Sequence, residues 1–97
     1  MVINKVKEQS KLTVSLRGSL DTLTASELQD GLDLSDVKEL IFNVEKLDYM
    51  SSAGVRVFLA CHKTMIKQGS MKICHPNSAV SEVFEITGLN LVFDIEE

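Results

Sequence analysis

Two hydroxyls stand side by side at Ser51-Ser52, where a loop through Leu47-Asp48-Tyr49-Met50 runs into a helical pattern that starts near Ser52. A helix N-terminus presents amides without intrahelical acceptors and a partial positive charge, and together these suit an anion. A phosphate on Ser52 would be held there, adding about 1.5–2 negative charges at one point of the surface. The same residues have a plainer use. Serine is a preferred N-cap, so Ser51 or Ser52 can simply close the helix, and Gly54 can simply let the loop approach closely. Local sequence leaves both readings open.

Other chemistries fit less well. A nucleophilic Ser52 needs a base within hydrogen-bond reach. His62 lies on the same helix, roughly 15 Å away, on its apolar side. His75 follows a later strand. Ser51-Ser52-Ala53-Gly54 does not match G-x-S-x-G, so a serine hydrolase is the weak alternative. Cys61-His62 and Cys74-His75 offer residue types that bind zinc, but neighbours on a helix or strand point apart and cannot easily share one ion. Both thiols read as core residues and no metal is expected. The glycines form no phosphate-cradling loop, so no cofactor is expected and ATP for any phosphorylation comes with a partner.

Short elements must position these groups. Val2 to Lys7 and Leu12 to Arg17 predict an antiparallel strand pair; Leu12, Val14 and Leu16 alternate with polar residues, and Gly18 ends the run. Thr24 with Glu27, or Thr22, is expected to cap a first helix that buries Ala25, Leu28 and Leu32, weakened near its end by Gly31. Leu40 to Val44 is almost continuously apolar, as in a strand covered on both faces, and Glu45 to Ser51 reads as loop. The helix after it places Val55, Phe58, Leu59, His62, Met65 and Ile66 on one side. Arg56, Lys63 and Lys67 share the other, with Gly69 as the C′ residue. Met71 to Cys74 is a strand, and His75-Pro76-Asn77-Ser78 a turn capping a third helix. That helix buries Val80, Val83 and Phe84 and stops at Gly88, with Leu89 against its end; Leu91 to Ile95 is the last strand. The order β-β-α-β-α-β-α-β with right-handed crossovers predicts an α/β fold, a mixed and mostly parallel sheet.

The chain has 97 residues, 44% hydrophobic and 25% charged, which suits one domain spanning 1–97 with a core of its own. Ten basic against fourteen acidic side chains give a net charge of −4, without the basic surface that nucleic acid demands. No stretch approaches the ~20 apolar residues that span a bilayer, and the N-terminus lacks a signal-peptide pattern. With two cysteines read as free thiols, the expected setting is the cytoplasm, with neither nucleic acid nor membrane as partner.

Three segments together resemble the STAS family, named for sulfate transporters and anti-sigma factor antagonists. They are Gly18-Ser19-Leu20-Asp21 with Thr24-Ala25, then Leu40 to Val44, then Met50-Ser51-Ser52-Ala53-Gly54-Val55-Arg56-Val57. The likeness covers nearly the whole chain. It implies a mixed sheet with helices wound as a βα superhelix, and no enzymatic activity. In the bacterial antagonists of this family, a serine opening the long helix is phosphorylated by a partner that is both anti-sigma factor and serine kinase. A serine phosphatase reverses the modification. Aligning Gly54 puts that serine at Ser52, with Asp21 in the acidic first loop beside it. Partner contacts are then expected at Asp21, Thr22, Ser51, Ser52, Gly54 and Arg56. One departure stands out. Many phosphorylated members carry Asp before the serine, and here Ser51 supplies a second candidate hydroxyl. It also motivates an alternative, a constitutive STAS adaptor or assembly subunit without a phosphate cycle.

Overall fold

The alternation of Leu12, Val14 and Leu16 becomes one buried row of a sheet. A computed structural model describes all 97 residues. Strands β1 (Val2–Glu8) and β2 (Lys11–Leu20) form a hairpin through Gln9-Ser10 and lead to α1 (Thr22–Asp30), β3 (Glu39–Met50) and α2 (Ser52–Met65). Then come β4 (Ser70–Cys74), α3 (Ser78–Thr87), a 3-10 turn (Leu89–Leu91) and β5 (Asp94–Glu96). The sheet order is β1-β2-β3-β4-β5, the first pair antiparallel and the others parallel, as the mixed sheet predicts.

Because each crossover steps one strand in the same direction, right-handed connections put all three helices on one face. Burial follows that rule. Leu40, Phe42 and Val44 are buried under the helices, whereas Ile41 and Asn43 on the other face are half-buried. The expectation that β3 is covered on both faces is therefore corrected: its apolar run reflects Ile41 alone on the open side. The core of 23 residues centres on Phe58, whose ring stacks on Phe42 at 4.3 Å and meets Phe84 at 6.4 Å and Phe93 at 6.5 Å.

Several boundaries move. Glu45 to Met50 is strand, not loop, and β2 continues past Gly18 to Leu20. Asn43 pairs with Ser15 but Lys46 with Arg17, and Leu47 pairs with Gly18 but Tyr49 with Ser19. Two extra residues in β3, each a β-bulge, shift its inward positions from every second residue to every third, at Val44, Leu47 and Met50. The period-2 signal is lost there while the strand continues. On α2 the buried side is Gly54, Val55, Val57, Phe58, Cys61 and Met65, rotated from the expected stripe; Ile66 caps the helix and is exposed. The last strand begins at Asp94, and Leu91 and Val92 lie in and beside the 3-10 turn, exposed. Gly88 ends α3 with φ 76° and Leu89 is buried against it, as predicted.

Two glycines fix how α2 sits. A Cβ on Gly54 would lie 2.7 Å from Leu20 Cδ2 and 3.1 Å from Met50 Cγ, so the first turn seats closely on the ends of β2 and β3 and any side chain there would force Leu20 and Met50 to shift. A Cβ on Gly69 would lie 1.8 Å from the Lys38 carbonyl oxygen, so the α2–β4 turn passes directly over the start of β3.

Candidate functional site

The paired ends of β2 and β3 deliver two helix N-termini to one spot. Leu20 pairs with Met50, and the Ser51 amide donates to the Leu20 carbonyl at 2.8 Å. Asp21, the next residue of one chain segment, and Ser51-Ser52 of the other are thereby neighbours, as the sequence reading requires.

Each N-terminus is closed by a short polar side chain. Asp21 is the N-cap of α1: Oδ1 accepts from the Thr24 amide at 3.0 Å, and the Asp21 amide donates to Thr24 Oγ1 at 2.8 Å. This replaces the caps expected at Thr24 or Thr22; Thr24 is the reciprocal partner in the box, and Thr22 is the first helical residue. Asp at the cap accepts as well as Ser or Thr and adds a charge at the positive end of the helix. Hydrogen bonds from the Thr24 amide and then its hydroxyl hold the Asp21 carboxyl below its ordinary pKa. The carboxylate thus stands exposed at the surface in its ionised form.

Ser51 caps α2, accepting from the Gly54 amide at 3.3 Å, and is half-buried. Its carbonyl takes the Val55 amide at 3.1 Å. The amides of Ser52 and Ala53 sit in the first turn, where no intrahelical acceptor exists. Ser52 is the first residue of the helix and exposed. The two serines are therefore distinct: one hydroxyl is engaged in the cap, the other faces solvent.

Beside them, Thr22 of α1 and Ala53 and Arg56 of α2 line one open cleft of about 290 Å³. Asp21, Thr22, Ser52 and Arg56 share the exposed surface. Gly54 does not join them. It is buried against Leu20 and Met50, so its expected place at a partner surface is replaced by a packing role. Leu23 and Tyr49, both more than half exposed, add apolar area here that the sequence reading missed. Tyr49 was hidden by the bulges, which alone decide that it points outward; Leu23 falls off the Ala25–Leu28 face by helical period.

The remaining chemistry-bearing residues lie elsewhere. His62 packs on the Phe93 ring at 5.5 Å in the third turn of α2. Cys61 is buried and its thiol is pushed up to about 11 by desolvation; burial raises the Cys74 thiol too. Neutral thiols suit the core reading of both. No helix is long and apolar enough to cross a membrane.

The profile of the STAS domain matches residues 2–97. The chain belongs to the STAS domain family. Among relatives of this STAS domain, BtrV of Bordetella bronchiseptica, a candidate anti-sigma factor antagonist by its name, is 31% identical, covering 98% of this chain and 85% of BtrV. The anti-sigma-B factor antagonist of Bacillus subtilis is 29% identical over 92% of this chain and 84% of its own length. The unphosphorylated anti-sigma factor antagonist SpoIIAA superimposes with a TM-score of 0.85, covering 97% of this chain and 87% of SpoIIAA, at 21% identity, which speaks to the fold.

Proposed function

We propose that this STAS domain is an anti-sigma factor antagonist, a binding protein whose docking on an anti-sigma factor with serine kinase activity is switched off by a phosphate on Ser52. The observation that carries the reading is the division of labour between the serines: Ser51 is engaged as the cap, while Ser52 offers an exposed hydroxyl at the positive end of a helix. The relatives named as anti-sigma factor antagonists support the same role.

The unphosphorylated surface around Asp21, Thr22, Ser52 and Arg56, with Leu23 and Tyr49 as apolar anchors, docks on the kinase and displaces the sigma factor. Phosphorylation places a dianion in that surface beside the ionised Asp21. The helix amides tolerate it while water surrounds it, but burying it under a partner removes that water, and the contact is lost. A serine phosphatase restores binding.

The test uses Ser52→Ala and Ser52→Asp as paired baits in source lysate, followed by phosphorylation with the recovered kinase. Ser52→Ala is expected to retain an ATP-binding kinase and accept no label, and Ser52→Asp to retain none. Label that persists in Ser52→Ala and disappears in Ser51→Ala would overturn the assignment.

A second reading, the constitutive adaptor, draws on one observation: the cap preceding Ser52 is the neutral Ser51. Mass analysis of the protein from its native cells across growth conditions separates the two. A phosphorylated form supports the switch, and its absence under every condition supports the adaptor.

A further inference from the structure

Arg56 stands four residues after Ser52 on α2, and both side chains are exposed. Residues at that spacing are neighbours on one helix face, about 5–6 Å apart between their Cβ atoms. A helical side chain also leans back over the turn before its own Cα, so Arg56 overlies the turn that Ser52 opens. Its guanidinium is uncommitted. Helix α2 contains no acidic residue, and the salt bridge of the fold joins Lys72 to Glu96. Across the cleft that Arg56 lines, α1 presents Thr22, Ala25, Ser26 and Gln29, none of them charged.

A phosphate on Ser52 meets opposing fields at this junction. The amides of the first turn favour it. Asp21, ionised at the N-terminus of α1, opposes it, and Asp48, four residues back along β3, has the same sign. Other cations stand further off. Lys63 lies three turns beyond Ser52, roughly 16 Å along the helix axis. Arg17 and Lys46 are paired positions lower on β2 and β3. Arg56 is the cation one turn away.

We propose that Arg56 is the internal counter-ion for a phosphate on Ser52, its guanidinium donating two N–H bonds back across one helical turn to the phosphate oxygens. The planar fork of arginine matches a phosphate in this bidentate way. The inference rests on the reading of Ser52 as the modified residue, and it gives the modification a second effect at the docking surface. Unmodified, Asp21 and Arg56 sum to no net charge and Arg56 is offered to the partner. Modified, the same patch carries about 1.5–2 negative charges and Arg56 is withdrawn into a pair within the chain.

The full chain with phosphoserine placed at position 52 during translation tests the pairing without any kinase. Phosphorus NMR follows the last protonation of the phosphate against pH in this chain and in the same chain with Arg56→Gln or Arg56→Lys. A cation beside the group favours its dianion. The phosphate beside Arg56 is therefore expected to hold its last proton about two- to fivefold more weakly than in Arg56→Gln. Arg56→Lys is expected to fall between the two, because it keeps the charge and loses the fork. The difference is expected to close in 1 M salt, where charges are screened within about 3 Å. It is expected to persist in Asp21→Asn, since Arg56 acts on the phosphate and not through Asp21. Circular dichroism checks folding, and Arg56→Ala takes the place of Arg56→Gln if the latter is unfolded. Equal inflections with and without Arg56 overturn the proposal, as does a difference that vanishes in Asp21→Asn. Label entering Ser52 from the recovered kinase together with equal inflections removes the counter-ion and leaves the switch standing. An Arg56-dependent inflection in a chain that the kinase does not label supports the counter-ion and removes the switch.

Discussion

Asp21 does two things with one carboxylate: it closes α1 through the Thr24 amide and leaves a negative charge beside Ser52. Its pKa is lowered in the fold, so the native state binds the proton more weakly than the unfolded chain. The stabilisation is fully present above the unfolded aspartate value and is lost as pH falls through the lower folded value. Asp33, lowered by the Ser35 amide, acts in the same direction. Thermal melts are therefore expected to show a falling midpoint below about pH 4, with a shallower fall in Asp21→Asn, which can still cap but cannot titrate. An unchanged slope in that variant would remove Asp21 from the acid sensitivity. At the same scale, Ser52→Asp adds a charge to an exposed first-turn position, where helix ends favour acids. It is expected to leave the unfolding midpoint essentially unmoved, so any loss of kinase binding reports the surface and not the fold.

Helix α2 links the site to the core because it is clamped at both ends by glycines in close contact. At Gly54 the obstacle to a Cβ is the Leu20 and Met50 side chains; at Gly69 it is the Lys38 main chain. A side chain can rotate where backbone must be displaced. Gly54→Ala also gains about 1 kcal/mol of helix propensity, which offsets an overpacking cost of about 1–3 kcal/mol. Gly69→Ala has no such offset, and a loss of about 2–4 kcal/mol is expected. Urea unfolding of the two variants measures the order, and Gly54→Ala losing more than Gly69→Ala would contradict it. Gly54→Ala is further expected to tilt the first turn and weaken kinase binding more than its stability loss accounts for, since Ser52 moves with that turn.

For the whole molecule, a helix layer on one face of the sheet concentrates the core under three helices, and Phe58 touches the rings of all three other phenylalanines. Truncation at Phe58→Ala is expected to cost about 3–5 kcal/mol, a large share of the ~5–15 kcal/mol that holds a domain of this size. The urea midpoint checks it; a shift no larger than that of an exposed-site variant such as Leu91→Ala would show that the aromatic cluster is not central. One-sided layering also leaves the far face of β3 only half-buried, at Ile41 and Asn43.

Much of this was legible in order along the chain. The element sequence, the Gly88 stop with Leu89 and the junction at Ser51-Ser52 follow from local rules of period, capping and turn chemistry, which depend on neighbours a few residues away. The caps at Asp21 and Ser51, the bulged continuation of β3 and the outward turn of Tyr49 and Ile66 did not. Choosing among Asp21, Thr22 and Thr24 as cap, or Ser51 and Ser52, depends on where the backbone leaves the strand, and that is set by pairing with a distant segment. A bulge erases the two-residue period that announces a strand, while the partner strand still holds it in place. The face α2 turns inward is likewise decided by what Leu20 and Met50 leave room for. Sequence alone determined which elements form and in what order; only packing between remote segments decided where their ends meet, which hydroxyl is occupied and which is free.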